Sequence, residues 1–183
     1  MTRISLDPPR TLWYRAGQTY ARRKYGADME PLAALAHNPK VLRTNARAEM
    51  SLAKWDSVPA DLNHLAVMAA AVTAGCSWCV DFGYWIMTAE GVDPTKIRDV
   101  PNWRDSTAYT ELERNVIEYA EAASRTPLEV TDEMVAALRK DLSEKQLVEL
   151  TMMIAVENQR SRFNIALGLT SQGFKDRCEV PVT

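Results

Sequence analysis

Apolar positions recur at helical spacing along most of the chain, and no segment alternates polar and apolar residues long enough to make a strand. Leu12, Trp13, Ala16, Tyr20 and Ala21 put one apolar face on a helix from Thr11 to about Tyr25, opened by DPPR and ended by Gly26. DMEPLAALAHNP predicts a short second helix stopped before Pro39. KVLRTNARAEMSLAKW predicts a third, with Val41, Leu42, Ala46, Met50 and Leu52 roughly in phase. Asp56 or Ser57 offers a start for a long helix reaching about Thr73, rich in the alanine and leucine that suit close helix packing. Gly75 interrupts that run, and another helix follows to about Glu90. EGVDPTKIRDVPNW reads as a connection with a short helical turn. In DSTAYTELERNVIEYAEAASR, Asp105 or Ser106 can cap a helix that turns Leu112, Val116, Ile117, Tyr119 and Ala120 inward. Thr131 opens TDEMVAALRK, with Asp132 and Glu133 in a first turn where negative charge is favourable. A long helix starts at Ser143 and ends at Gly168 or Gly173, leaving FKDRCEVPVT extended or irregular.

The pattern predicts an all-α fold of seven or eight helices, with the apolar segments near residues 59–74 and 143–167 as its central pair. It reads as one domain over residues 1–183, in which 1–55 form a helical N-terminal extension and 56–170 the core. With 46% hydrophobic residues the chain can bury a sizeable core and still have apolar surface for subunit contacts. A net charge of -2 leaves no electrostatic footprint for nucleic acid, despite the basic stretches RRKYG and KDRC. The most apolar run, LAVMAAAVTAGCSWCV, has 16 residues, short of the roughly 20 that span a bilayer, so no membrane partner is expected. MTRISLDPPR carries no apolar run with a cleavage site, and three cysteines do not make a secreted disulfide framework. A cytoplasmic location is expected.

The chemistry concentrates in GCSWCVDFG. Cys76 and Cys79 are three residues apart, which on a helix puts both sulfurs on one side and within reach of a disulfide. Gly75 places them at a helix N-terminus, where unsatisfied N–H groups stabilise a thiolate. The pair is either a working dithiol or two packed core cysteines. A zinc corner needs about four ligands. Only His64, Asp81 and distant Cys178 are at hand, so no metal is expected. His64, twelve residues before Cys76, is either a hydrogen-bonded core histidine or the group that takes a thiol proton. Asp81 could orient a histidine or a water, and close to the sulfur its charge would oppose thiolate formation. Trp78, Phe82, Tyr84 and Trp85 are core or interface aromatics, or the wall of an apolar substrate pocket. His37 reads as a helix-end residue bonded to backbone, and Cys178 as incidental. Glu157, Asn158, Arg160, Arg162 and Asn164 are strongly polar for the end of a buried helix. They form a solvated face, or Asn158 or Arg162 lines a pocket or a subunit interface.

An apolar helix followed by CxWC, a second helix and a glycine-led turn resembles the carboxymuconolactone decarboxylase and AhpD-like alkylhydroperoxidase superfamily. The match is best over PADLNHLAVMAAAVTAGCSWCVDFGYWIMTAEGV, with a weaker echo in DLSEKQLVELTMMIAVENQRSRFNIALGL. The resemblance implies an AhpD-like helical bundle and a thiol-dependent peroxidase acting on organic or hydrogen peroxides. In that scheme Cys79 attacks and becomes a sulfenic acid, and Cys76 resolves it to a disulfide. The family pattern also implies a proton relay, from a glutamate twelve residues before the first cysteine and a histidine four after the second. Those positions hold His64 and Gly83 here. Gly83 cannot transfer a proton, so His64 is expected to serve instead, with Asp81 or a water. The resemblance further implies no tightly bound cofactor, a protein dithiol or dihydrolipoyl reductant, and a homo-oligomer (dimer, trimer or hexamer). The decarboxylase branch lacks the cysteine pair, which makes lactone decarboxylation a poor fit. Two other readings stay open: a lyase or isomerase acting on a small cyclic acid through His64 and the polar end of the last helix, and a non-enzymatic helical oligomer.

Overall fold

A computed structural model describes residues 2–178, and every regular element among them is helical. The α-helices are α1 (Leu12–Tyr25), α2 (Glu30–Ala36), α3 (Pro39–Leu52), α4 (Ala60–Ala74), α5 (Ser77–Ala89), α6 (Pro94–Asp99), α7 (Glu111–Ser124), α8 (Asp132–Leu138) and α9 (Glu144–Ala166). A 3-10 segment, Val100–Asp105, continues α6, and a second one, Lys175–Arg177, lies in the tail that the pattern left irregular. Residues 179–183 of that tail fall outside the described residues. The chain divides into two compact units, Met1–Trp55 with Ala166–Leu169, and Asp56–Ile165 with Thr170–Thr183.

In the first unit, Thr11 caps α1 by accepting the N–H of Tyr14, and Asn38 caps α3 through Lys40 and Val41. Its buried side chains include the small Ala21, Ala33, Ala34 and Ala36, with Leu42 and Leu169 as larger ones. Gln18 is the buried polar exception; its side-chain oxygen accepts the N–H of Met29 at 3.0 Å and its amide donates to Tyr14. His37 Nε2 lies 2.7 Å from the carbonyl of Ser5.

The second unit is built around α4, which is apolar on all sides and buried accordingly. Alanines 66, 69, 70 and 71 let neighbouring backbones come close. α7 does so most, with Val116, Ile117 and Ala120 fully buried, and α5 next. The central pair is therefore α4 with α7, not α4 with α9. α9 joins the same core through Leu150 and Ile154, longer side chains that keep its axis farther off. Two helix starts also differ from the expected ones. α4 begins after Pro59, because the chain before it is tied to α9 by a bond from the Val58 N–H to Glu149 Oε1 at 2.9 Å. α7 begins after Thr110, its N-cap, which forms a capping box with Glu113. Ser106 is used elsewhere, its hydroxyl donating to Asp99 at 2.7 Å.

The junction of α4 and α5 is the feature that places the chemistry. Gly75 adopts φ 74°, a left-handed conformation that favours glycine, and its N–H returns to Val72. The next N–H, of Cys76, returns to the carbonyl of Ala71 at 3.0 Å, which completes a Schellman ending of α4. Cys76 is at once the N-cap of α5. One glycine thus turns the chain between two helices and delivers a sulfur to a helix N-terminus.

Candidate active site

Cys76 and Cys79 form a disulfide, with Cα atoms 5.3 Å apart, inside the usual range. The two sulfurs are not equivalent. Cys76 is fully buried, and its Sγ accepts the backbone N–H of Cys79 at 3.3 Å, the N-cap bond of α5. Cys79 keeps 8% exposure.

The other wall is a stripe on α9. Glu157, Ser161 and Asn164 follow one another at spacings of four and three, so they share one helix face. All three are buried, at 3%, 0% and 3% exposure. Ser161 Oγ lies 3.4 Å from Cys79 Sγ and 3.1 Å from Glu157 Oε1. Asn164 Nδ2 points at both sulfurs, 3.4 Å from that of Cys79 and 3.8 Å from that of Cys76. The other carboxylate oxygen of Glu157 pairs with Arg160 Nη1 at 3.4 Å. An acid, a hydroxyl and a thiol-derived sulfur are therefore in hydrogen-bond sequence away from bulk water.

Asp81 is buried two residues beyond Cys79, yet it works on the C-terminal segment. Its carboxylate accepts the N–H groups of Gln172, Phe174 and Lys175 at 2.8, 3.1 and 2.7 Å. Burial opposes its ionisation, but the bonds from Lys175, Phe174, Ser171 and Gln172 outweigh this and hold the carboxyl below its ordinary value. The segment so anchored carries Phe174, fully buried edge-on against Trp78, Phe82 and Trp85 with centroids 6.3, 5.2 and 6.4 Å away. Trp78 stacks on Phe82 and Phe82 on Trp85, and the Trp78 indole N–H donates to Gln172 at 2.7 Å. These three aromatics sit around a phenylalanine plug next to the disulfide-bearing turn.

His64 is not brought to the sulfurs. Its Nε2 is 2.6 Å from Glu90 Oε2, at the far end of α5. Glu90 is eleven positions beyond Cys79, about 16 Å along the axis. Gly83 faces α4, and a β-carbon there would stand 3.2 Å from Met68 Cε. Among the described residues no group of three His, Cys, Asp or Glu could hold a metal ion. Asn158 and Arg162 point elsewhere, to Ser124 and Thr126. The sequence reading passed over Ser161 and placed Glu157 on a solvated face. The signal that finds them is phase: the buried stripe Leu150, Ile154 continues onto Glu157, Ser161 and Asn164, one position off Asn158 and Arg162.

Fold and site together define an all-helical protein with a buried CxxC disulfide. The model of the carboxymuconolactone decarboxylase family matches residues 39–122. A protein of Escherichia coli K12 described as uncharacterized, YnjA, is 35% identical over 106 residues, 58% of this chain and 57% of that one. The matched part is thus little more than half of that relative's length. Among solved structures, a cysteine-to-alanine variant of the debrominase Bmp8 in complex with 2,3,4-tribromopyrrole superposes with TM-score 0.84, at 19% identity over 97% of each chain. An uncharacterized peroxidase-related protein from Silicibacter sp. TM1040 gives 0.83, at 14% identity over 95% of this chain and 94% of that one. A third, described as an alkylhydroperoxidase AhpD core from Ralstonia eutropha JMP134, gives 0.82, at 18% identity over 99% and 96%. Residues 39–122 therefore match the carboxymuconolactone decarboxylase family model, and the fold of the described residues is the AhpD-like helical bundle.

Proposed function

We propose that the protein is a dithiol peroxidase that reduces organic or hydrogen peroxides and is itself re-reduced by a dithiol. The observation that carries this reading is the inequality of the two sulfurs. Cys79 is the more accessible, so it meets the peroxide, and its thiolate attacks one peroxide oxygen. The O–O bond breaks, Cys79 becomes a sulfenic acid and an alkoxide leaves, taking up a proton. The Cys76 thiol then displaces water from the sulfenic acid and the disulfide forms. For recovery, an incoming dithiol attacks Cys79, and Cys76 leaves as a thiolate. The N–H of Cys79 already points at that leaving sulfur. Exchange is faster when the leaving thiol is the more acidic, and an N-cap position favours that.

The experiment is a titration of the reduced chain with cumene hydroperoxide, dihydrolipoamide serving as reductant in turnover. Two of the three thiols disappear per peroxide consumed, and Cys178 remains. A Cys79→Ser variant with undiminished turnover would sink the proposal. The debrominase likeness makes 2,3,4-tribromopyrrole the second substrate to test. Reductive debromination has the same thiol stoichiometry, one bromide released and one ring C–H bond formed per disulfide. Bromide release without peroxide consumption would move the proposal to that reaction.

A further inference from the structure

We propose that Ser161 and Glu157 form the proton relay of Cys79, approaching the sulfur from α9. The inference rests on the dithiol reading above, in which Cys79 has to lose its proton. It starts from what the site holds and lacks. His64 is not at the sulfurs, being spent on Glu90 at the far end of α5, and position 83 is a glycine packed on Met68. A carboxyl group is nevertheless buried one hydroxyl away from Cys79, close enough for that hydroxyl to carry a proton between them.

The geometry fixes the direction of transfer. Ser161 has one hydroxyl proton and two acceptor lone pairs. Given to the ionised Glu157, that proton leaves the lone pairs facing Cys79 Sγ, at 3.4 Å. In the reduced protein the Cys79 S–H fills that place, so the chain reads S–H to hydroxyl oxygen, O–H to carboxylate. One concerted shift yields a Cys79 thiolate, a Ser161 hydroxyl and a Glu157 carboxylic acid. Asn164 Nδ2, 3.4 Å from Cys79 Sγ, stands ready to donate to the thiolate. When the peroxide bond breaks, the proton on Glu157 returns by the same route to the departing alkoxide. Glu157 is ionised again at the end of the cycle, and no external acid is consumed. Arg160 from its own helix and, through Ser161, Cys79 from α5 face Glu157.

The test reads the proton step apart from any peroxide. Fully reduced chains are treated with iodoacetamide across a pH series, and the alkylation rate at Cys79 is followed by mass spectrometry. In the wild type, sharing of one proton between thiol and carboxylate keeps a reactive thiolate fraction on the acid side of the thiol's own titration. Near pH 6, Glu157→Gln and Ser161→Ala each react about tenfold more slowly than wild type, the effect of one pKa unit, and the rates converge towards about pH 9. Ser161→Thr keeps the hydroxyl and keeps the wild-type profile. Superimposable profiles for wild type, Glu157→Gln and Ser161→Ala overturn the relay, whatever the protein does with peroxide. A wild type that shows the acid-side advantage but consumes no hydroperoxide retains the relay and ends the peroxidase reading.

Discussion

Asp81 illustrates how a charge two residues from a disulfide sulfur is committed elsewhere. Its oxygens are committed to three backbone N–H groups of the segment that carries Phe174, so the charge is neutralised where it sits. Asp81→Asn keeps the shape but turns an amide toward those donors. It should cost about 1–3 kcal/mol, read from the urea midpoint. The pH dependence follows from the direction of its shift. The folded-state pKa lies below the ordinary 3.8, so the contribution is fully present above that value and is lost as pH falls through the folded pKa. The stability gap between wild type and Asp81→Asn should therefore narrow only in acid, below about pH 4. The sequence flagged Asp81 for its place next to Cys79. Its actual partners are more than ninety residues away, a pairing that no local pattern contains.

Helix by helix, what was legible followed how local the signal was. α1, α2, α3 and α8 begin and end close to where caps, prolines and glycines put them, because a cap bond spans only two or three residues. α4 and α7 start later than expected because Ser57 and Ser106 have the right chemistry for a cap but sit in chain held by distant partners, Glu149 and Asp99. α9 was placed correctly as a long helix, yet Glu157 and Asn164, on the face it turns to the sulfurs, were read as solvated, with Asn158 or Arg162 as the alternative lining. Being buried among several helices blurs the polar–apolar contrast that sets phase. Two substitutions test these local devices. Gly75→Ala meets no atom within 4 Å, so its cost is purely conformational, about 1 kcal/mol for a side chain forced to φ 74°. Thr110→Ala removes half of the capping box of α7 and should cost about 1 kcal/mol as well. Both are read as shifts in the urea midpoint at unchanged slope.

For the whole molecule, the helical class and the location of the dithiol were plain from periodicity and from Gly75. The closest helix pair was not, because residue size decides it: alanines of α4 admit α7, while leucine and isoleucine hold α9 off. The disulfide closes a loop of only a few residues, so it constrains the unfolded chain by about 2 kcal/mol. Treatment with dithiothreitol should accordingly leave the far-UV circular dichroism unchanged and lower the melting temperature by about 4–8 °C. A larger loss would mean that the bond is a structural staple. Finally, the packing of Gly83 on Met68 limits what position 83 can carry. A β-carbon there would stand 3.2 Å from Met68 Cε, the far end of a flexible side chain, so Gly83→Ala asks that methionine to shift by a few tenths of an ångström. A histidine would add a ring on the same face of α5 and ask the core around Met68 for more room.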